Sequence, residues 1–340
     1  MTRTGSWAPS RRVFLKAGVA GMAGAGLLGT PYLARAQSAK TLRAAHIEST
    51  ESATHKGYVA FAEKVKAATD GAVEVKVFPA GQLGNLRDLY EGIKLGTVDL
   101  TSSGPDYSSN IAPVMLTAAL YYSYRDNAHA DALLDGAFSA RLSEALASQA
   151  GMRILAWGEL GWRSVFNTVR PILAPGDMKG LKLRVPEAQL HIVPMQALGA
   201  SPTPIPYSDV YTSMQTGVVD GAEGAAAAVL QQKFNEVSKF FSLTNHLYNP
   251  VHLVIGARTF DGLSADHQKA VQAAAREAFQ AQRSQARADN AAALDKLKAS
   301  GLAVNEVNTA PFREVVMPSW ARLTASLGAE GEDLVKMLMA

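Results

Sequence analysis

The hydrophobic positions along the chain follow two different periods, and their alternation predicts strands and helices in turn. Valines alternate with charged residues over 73–77, which is a period of two and predicts a strand. Tyr58, Phe61, Ala62 and Val65 recur at helical spacing and predict one buried helix face. Short apolar runs predict further strands at 41–47, 97–101, 153–157, 181–185, 218–222 and 240–244.

Capping residues predict where the intervening helices begin and end. Asn85 is suited to cap a helix that stops at Gly96, and Ser208 is suited to cap one that stops at Gly217. A further helix is predicted over 187–198. The strand–helix–strand order predicts an α/β fold with a largely parallel sheet, helices on both of its faces, and two lobes.

One predicted helix is unusually long. Ser264 is a suitable N-cap, Gly301 a suitable stop, and neither Pro nor Gly lies between them. An unbroken helix over this segment would measure roughly 55 Å, enough to strap two lobes together. The alternative is two helices joined by a kink near Asp289 and Asn290.

The first 36 residues have the pattern of an export signal. Residues 10–16 read Ser-Arg-Arg-Val-Phe-Leu-Lys and resemble the twin-arginine signal of bacteria. A Gly- and Ala-rich apolar stretch follows, and Ala34-Arg35-Ala36 is typical of a cleavage site. The segment predicts removal of 1–36 and a periplasmic location; a transmembrane helix is the alternative, but the stretch is only weakly apolar.

Removal of this segment changes the charge of the chain. The 340 residues carry 33 basic and 30 acidic side chains, a net charge of +3. Five of the basic residues and no acidic one fall within 1–36, so the remainder holds 28 basic and 30 acidic residues, a net of −2. Nothing in that balance favours nucleic acid as a partner.

Sequence signatures of catalysis and of metal or cofactor binding are absent. The chain has no cysteine, which excludes disulfides, iron–sulfur clusters and thiol nucleophiles. It also has no H-E-x-x-H, G-x-S-x-G or phosphate-binding P-loop pattern, and the G-x-G-x-x-G at 24–29 falls within the export segment. His246 and His252 flank a predicted loop, where ordinary structural roles are favoured over a metal site.

Two arginines are placed where α/β proteins bind ligands. Arg184 closes the predicted strand 181–185 and Arg163 follows the predicted strand 153–157. The carboxyl ends of strands face the ligand crevice in open α/β sheets, and a guanidinium fits a carboxylate bidentately. With Trp162 and Tyr207 nearby they predict an anion pocket; alternatively, each arginine pairs with a surface acid.

Two acids accompany glycines at the end of another predicted strand. Asp220 and Glu223 lie in the run Val-Asp-Gly-Ala-Glu-Gly at 219–224. They are compatible with an acid–base pair, although Asp before Gly more often bonds a turn. Their proximity to the candidate arginines favours a ring of polar ligand contacts over catalysis.

Several longer motifs resemble one family in the same order. Phe78–Gly84 reads F-P-A-G-Q-L-G, 177–186 reads D-M-K-G-L-K-L-R-V-P, and 215–223 reads Q-T-G-V-V-D-G-A-E. Together they resemble the solute-binding subunits of tripartite ATP-independent periplasmic (TRAP) transporters, the DctP-type proteins. The resemblance runs from about residue 42 through essentially the whole chain that follows the export segment.

The resemblance implies a periplasmic-binding-protein-like fold, with two α/β lobes around a central ligand cleft and a long helix strapping both. We expect lobe I to comprise 37–160 plus 250–289, and lobe II 161–249 plus 290–340. The implied function is capture of a small organic acid and its delivery to a TRAP-type membrane permease. We expect a monomer that is not an enzyme and uses no cofactor or metal.

The resemblance also assigns roles to residues. Arg184 matches the family arginine that clamps the ligand carboxylate, Arg163 a second cleft arginine, and Tyr207 the aromatic cleft position. Gly224 replaces the Asn of sialic-acid-binding members, and Ser102-Ser103-Gly104 stands where those members carry an acid. These departures, with Trp157, Trp162 and Tyr207, favour a smaller or partly apolar acid. The complete candidate ligand-binding set is Arg184, Arg163, Tyr207, Trp162, Glu223, Asn85 and Gly224.

Two other classes of function remain open at this point. One is a secreted α/β enzyme acting on an anionic substrate, with Asp220, Glu223 and a histidine as acid–base groups. The other is a ligand-sensing partner of a membrane receptor.

Overall fold

The computed structural model describes residues 39–340, which form nine strands and twelve α-helices joined by loops and short 3-10 turns. The strands are β1 (Lys40–Ala45), β2 (Val73–Phe78), β3 (Leu100–Ser103), β4 (Met152–Asn167), β5 (Lys182–Val185), β6 (Ser201–Pro204), β7 (Gly221–Gly224), β8 (Phe240–Gly256) and β9 (Ala303–Glu306). The helices are α1 (Ala53–Ala68), α2 (Leu86–Leu95), α3 (Pro105–Ser108), α4 (Asn127–Leu134), α5 (Ala137–Ala150), α6 (Gln189–Ala197), α7 (Val210–Gln215), α8 (Ala226–Gln231), α9 (Ala257–Asp261), α10 (Ala265–Ala299), α11 (Ala310–Thr324) and α12 (Gly328–Met339).

All nine strands belong to one sheet, in the order β2-β1-β3-β8-β4-β7-β5-β6, with β9 pairing β8. The pairs at its two ends, β1 with β2 and β3 and β5 with β6 and β7, are parallel, as the sequence predicted. The centre is antiparallel, because β8 pairs antiparallel with both β3 and β4, and β4 with β7. The expectation of a largely parallel sheet was therefore wrong for the central strands.

The two central strands connect the two parallel ends of the sheet. β4 and β8 are 16 and 17 residues long and pair with each other along most of their length. The sequence predicted only one short apolar part of each, because the remaining parts carry buried polar residues that interrupt the hydrophobic pattern. Arg163 consequently lies within β4 and not after it, and His246 and His252 lie within β8 and do not flank a loop.

The predicted long helix is a single element of 35 residues, about 52 Å in length. The hydroxyl of Ser264 caps it by accepting the His267 N–H at 3.2 Å, and no break interrupts it near Asp289. Its first half packs Val271 and Phe279 against the core beside β1 and α1. Its last turns pack against the core beside β7 and α8, so the helix spans both ends of the sheet.

Helix α10 contacts the backbone of β4 directly, at two glycines. Gly158 faces Gln282, and Gly161, with φ +105°, faces Asn290. The Asn290 amide donates to the Leu160 carbonyl at 2.8 Å and accepts from the Ala227 N–H at 2.9 Å. A side chain at either glycine would meet the helix, so both positions fix how closely α10 approaches the sheet.

Two predictions of helix caps can be compared with residues 39–340. Asn85 and Gly96 cap α2 as predicted, but Ser208 does not cap α7: it lies in a 3-10 turn over 207–209, and Asp209 precedes the helix. None of the helices in this part of the chain combines the length and apolarity needed to cross a bilayer. The export segment 1–36 lies outside the described residues.

Candidate functional site

A cavity of about 630 Å³ lies between the two sets of parallel strands, where the carboxyl ends of one set face those of the other. Loops that follow β1, β2 and β3 form one wall, and loops that follow β5, β6 and β7 form the other. In α/β proteins ligands bind at the carboxyl ends of parallel strands, because a crevice is left there. The central residues of β4 and β8 supply the floor.

Six of the seven predicted site residues line this cavity, namely Arg163, Arg184, Tyr207, Glu223, Asn85 and Gly224. Asn85 lies exposed at the rim, where its side chain accepts the Asp88 N–H and caps α2. Trp162 does not line the cavity. Neighbouring residues of a strand point to opposite faces of the sheet, so Trp162 faces away from the side on which Arg163 lies.

The tryptophans expected near the ligand are engaged elsewhere. Trp162 lines a second cavity of about 230 Å³, and its indole N–H donates to the Asn127 side chain at 2.9 Å. The indole N–H of Trp157 donates to the Ser139 hydroxyl at 2.8 Å, away from the main cavity. Trp157 and Trp162 therefore do not lie where they could contact a ligand in the main cavity, and their positions do not favour a partly apolar acid.

Arg163 is neutralised by Glu223 within the protein. Its Nε and one Nη bond both carboxylate oxygens of Glu223, and that Nη also donates to the Glu223 carbonyl at 2.9 Å. The Glu223 side chain is fully buried, and His246 Nε2 lies 3.2 Å from it. Burial alone would raise the pKa of Glu223, but Arg163 and the His246 hydrogen bond hold it well below its usual range.

Strand pairing brings this ion pair together. Val165 of β4 stands opposite Glu223 of β7, so the two strands are direct neighbours. The sequence predicted that Glu223 lies near the candidate arginines, but it did not predict their direct ion pair or which histidines stand beside it. His246 Nδ1 lies 2.9 Å from the Thr244 hydroxyl, and His191 Nδ1 lies 3.0 Å from that of Tyr121.

Arg184 differs from Arg163 because no carboxylate neutralises it. It is buried, its Nε donates to the Ile205 carbonyl at 2.8 Å, and its guanidinium carbon lies 5.9 Å from the centre of the Tyr207 ring. Within residues 39–340 it makes no ion pair. Burial lowers the pKa of Arg184 to about 10, and Glu223 opposes that shift. Arg184 therefore remains charged at neutral pH, with both Nη groups free of hydrogen bonds to the described residues.

Two interior acids of the cavity were missed by the sequence analysis. Glu48 follows β1 and Asp106 follows β3, and both are half-buried in the cavity wall. Asp106 Oδ2 lies 3.8 Å from His191 Nε2, whereas its Oδ1 is buried without a hydrogen-bond partner. Their position just after predicted strands was the available signal, by the same reasoning that selected Arg184.

The candidate acid–base pair is not assembled. Asp220 lies outside the cavity, where its carboxylate accepts the Lys182 N–H at 2.8 Å and joins the start of β5 to the residue before β7. His252 is buried beside Tyr90, whose hydroxyl lies 3.2 Å from its Nε2. In the described part of the chain no three His, Cys, Asp or Glu residues are grouped so as to hold a metal ion.

A family model and the sequence relatives of this chain both describe bacterial solute-binding proteins. The family model for "Bacterial extracellular solute-binding protein, family 7" (DctP) matches residues 44–327. The 2,3-diketo-L-gulonate-binding periplasmic protein of Escherichia coli (strain K12) is 33% identical over 300 residues, which cover 88% of this chain and 91% of that protein.

Solved structures agree with the sequence relatives. A TRAP periplasmic solute-binding protein of Roseobacter denitrificans OCh 114 with bound L-galactonate is 33% identical, with a TM-score of 0.83 over 89% of this chain and 100% of that one. A second, from Sulfitobacter sp. NAS-14.1 with bound β-D-galacturonate, is 32% identical, with a TM-score of 0.85 over 88% and 99%.

These matches confirm the predicted two-lobed α/β fold and the resemblance to TRAP binding proteins. The protein captures a small organic acid in the periplasm for transport by a TRAP permease. The chain belongs to the DctP family of bacterial extracellular solute-binding proteins, the binding subunits of TRAP transporters.

Proposed function

We propose that the ligand is a sugar acid, with Arg184 holding its carboxylate. The observation that carries this proposal is the contrast between the two buried arginines of the cavity: Glu223 neutralises Arg163, whereas no acid among residues 39–340 neutralises Arg184. A cavity of about 630 Å³ has room for a six-carbon acid. Its many polar lining groups suit hydroxyls, and the two solved relatives hold L-galactonate and β-D-galacturonate.

A carboxylate is the group that this arginine suits best. Its Nε already donates to the Ile205 carbonyl, which fixes the plane of the guanidinium and leaves the two Nη groups for a ligand. Burial makes an unpaired cation costly, so an anion that neutralises it in a site closed to water binds favourably.

Calorimetry with L-galactonate and D-galacturonate tests the proposal. We expect Arg184→Ala to lose about 2–5 kcal/mol of binding free energy, roughly 30-fold to several-thousand-fold in Kd. Arg184→Lys should also weaken binding, because an ammonium cannot reproduce two parallel hydrogen bonds. Arg313→Ala, on the exposed face of α11, is the matched control.

Circular dichroism establishes that each variant is folded. If folded Arg184→Ala binds within about threefold of the wild type, a difference of only some 0.7 kcal/mol, Arg184 is not the anchor.

We propose that residues 37–160 plus 250–289 form lobe I and 161–249 plus 290–340 form lobe II, and that ligand closes them about β4, β8 and α10. This division is supported by the two walls of the cavity, one built by loops after β1 to β3 and the other by loops after β5 to β7. Small-angle scattering should give a smaller radius of gyration with saturating L-galactonate. An unchanged radius under saturation contradicts closure.

We propose that the protein leaves its ligand chemically unchanged. Its relatives are solute-binding transport proteins, and Asp220 of the candidate acid–base pair is bonded to the backbone of β5 outside the cavity. NMR spectra of L-galactonate and D-galacturonate should be identical before and after prolonged incubation with the protein. A new product signal would favour the enzyme hypothesis.

We propose that 1–36 is a twin-arginine signal and that the exported protein is a monomer. The Ser-Arg-Arg-Val-Phe-Leu-Lys run supports the first proposal. Replacement of Arg11 and Arg12 by Lys should abolish periplasmic accumulation, and unchanged levels would exclude this route. Light scattering after size-exclusion chromatography measures the mass of the exported protein.

A further inference from the structure

We propose that Glu48 is a specificity-determining residue of the cavity, which accepts a hydroxyl of the ligand and excludes acids that carry a second carboxylate. The inference rests on the proposed function and narrows the ligand to hydroxylated monocarboxylates.

The backbone of Glu48 is held in place by hydrogen bonds, while its carboxylate is free to contact a ligand. Its carbonyl accepts the Ala80 N–H at 3.1 Å, and the His46 carbonyl accepts the Gly81 N–H at 3.0 Å, so the loop after β1 is tied to the loop after β2. The Glu48 side chain lines the cavity, yet across residues 39–340 it makes no hydrogen bond and no ion pair. A rigidly held acceptor without a protein partner is available to a ligand.

The second argument is the charge around it. Inside the cavity Arg163 and Glu223 neutralise each other, so Arg184 meets the ligand carboxylate; within residues 39–340 no cation pairs with Glu48, and Asp106 has only His191 beside it, at 3.8 Å. Asp106 presents a buried Oδ1 without a partner. A monocarboxylate with hydroxyl donors satisfies all three groups, whereas the second carboxylate of a diacid would lie against like charge in a desolvated cavity.

The surroundings of Glu48 support the exclusion. Burial raises the pKa of Glu48 to about 7, with Arg163 lowering it and Asp106 raising it. Tyr207 also faces it across the cavity. His46 and His55, from β1 and α1, stay uncharged there, since burial lowers the pKa of both. The Glu48 carboxyl is therefore mostly ionised above pH 7 and mostly protonated below it. Its repulsion of a second ligand carboxylate is accordingly stronger above pH 7 than below it.

Galactonate and galactarate are a matched pair of probes, because they share a six-carbon hydroxylated chain and differ only in a second carboxylate. We expect the wild type at pH 8 to bind galactonate at least about 30-fold more tightly than galactarate, and this ratio to shrink at pH 6. In Glu48→Gln the ratio at pH 8 should fall to within about threefold, with galactonate weakened about three- to tenfold. Glu51→Gln removes the same charge from an exposed position of the same loop and should behave as wild type.

The outcomes separate this inference from the proposed function. If the wild type binds galactonate through Arg184 but Glu48→Gln leaves the ratio unchanged, the role of Glu48 is overturned and the proposed function stands. Equal wild-type affinity for the two acids also overturns it. Binding of none of galactonate, galactarate and D-galacturonate overturns both proposals together. Glu48→Ala, checked by thermal unfolding, repeats the test should Glu48→Gln be unstable.

Discussion

At the scale of single residues, the two cavity arginines should differ in what their removal costs. Arg163→Ala leaves Glu223 charged and buried without its partner, which typically destabilises a fold by about 3–5 kcal/mol. Arg184→Ala removes a buried cation that has no acid partner within the described residues, so we expect a much smaller loss of stability. Urea unfolding of the two variants without ligand measures the difference, and equal losses would contradict it.

Two buried histidines should make the protein sensitive to acid. Burial lowers the pKa of His46 and of His252 to about 4, so between pH 6.5 and 4 the unfolded chain binds protons that the folded chain does not. Above pH 6.5 both histidines are neutral in the folded and in the unfolded chain, and the free energy of unfolding has its full value. It decreases as the pH falls towards 4, because protons then bind preferentially to the unfolded chain. At pH 5 we expect each to cost about 1–2 kcal/mol.

Denaturant unfolding at pH 7 and pH 5 checks this expectation. His252→Gln should lose less stability between the two pH values than the wild type does, whereas His267→Gln, on the surface of α10, should lose as much. If His252→Gln and the wild type respond equally, His252 is not one of the acid-sensitive groups.

The sequence predicted site residues where a local rule applied. Arg184 was selected because it closes a short apolar strand, and it does line the cavity. Trp162 was selected for its proximity to Arg163, but adjacent strand residues point to opposite faces of the sheet. Glu48 passed unnoticed although it directly follows the predicted strand 41–47, because the rule that selected Arg184 was not applied to that strand.

At the scale of elements, helices and strands with an uninterrupted hydrophobic pattern were predicted well, and those whose pattern is interrupted were predicted only in part. Helices α2 and α10 have amphipathic faces and clear caps, and the sequence predicted their ends within a residue or two. β4 and β8 were predicted at less than half their length, because they bury Glu159, His246 and His252 in a polar interior. Such residues are stabilised by tertiary partners that only the folded chain supplies.

The glycine at the contact between β4 and α10 offers an element-scale prediction. Gly161→Ala places a methyl group against Asn290 at a backbone φ of +105°, so both strain and collision oppose it. Gly151→Ala is the matched control, since its φ is also positive but its surroundings are open. We expect Gly161→Ala to cost about 1–3 kcal/mol more than the control in urea unfolding. Equal costs would mean that α10 yields easily at this contact.

At the scale of the whole molecule, one sheet and one long helix connect every part of residues 39–340 that forms the cavity. We therefore expect a single unfolding transition in scanning calorimetry, and not separate melting of two lobes. L-Galactonate at 100 times its Kd should add about 2.7 kcal/mol of stability, and Arg184→Ala should show almost none of this gain at the same concentration. Two resolved transitions would show that the lobes unfold independently.

The contact of α10 with β4 also provides a backbone amide whose hydrogen exchange can be measured in the region about which the lobes are proposed to close. Glu159 of β4 pairs with Pro250 of β8, and Pro250 has no backbone N–H to donate. The side chain of Gln282 instead bonds the backbone of Glu159, as a neighbouring strand would. Gln282 accepts the Glu159 N–H at 2.9 Å and donates to its carbonyl at 2.7 Å. The rate at which the Glu159 amide exchanges with deuterium therefore measures how often the helix lifts from the strand. That rate should fall when ligand holds the two lobes together, and rise in Gln282→Ala with the rest of β4 still protected.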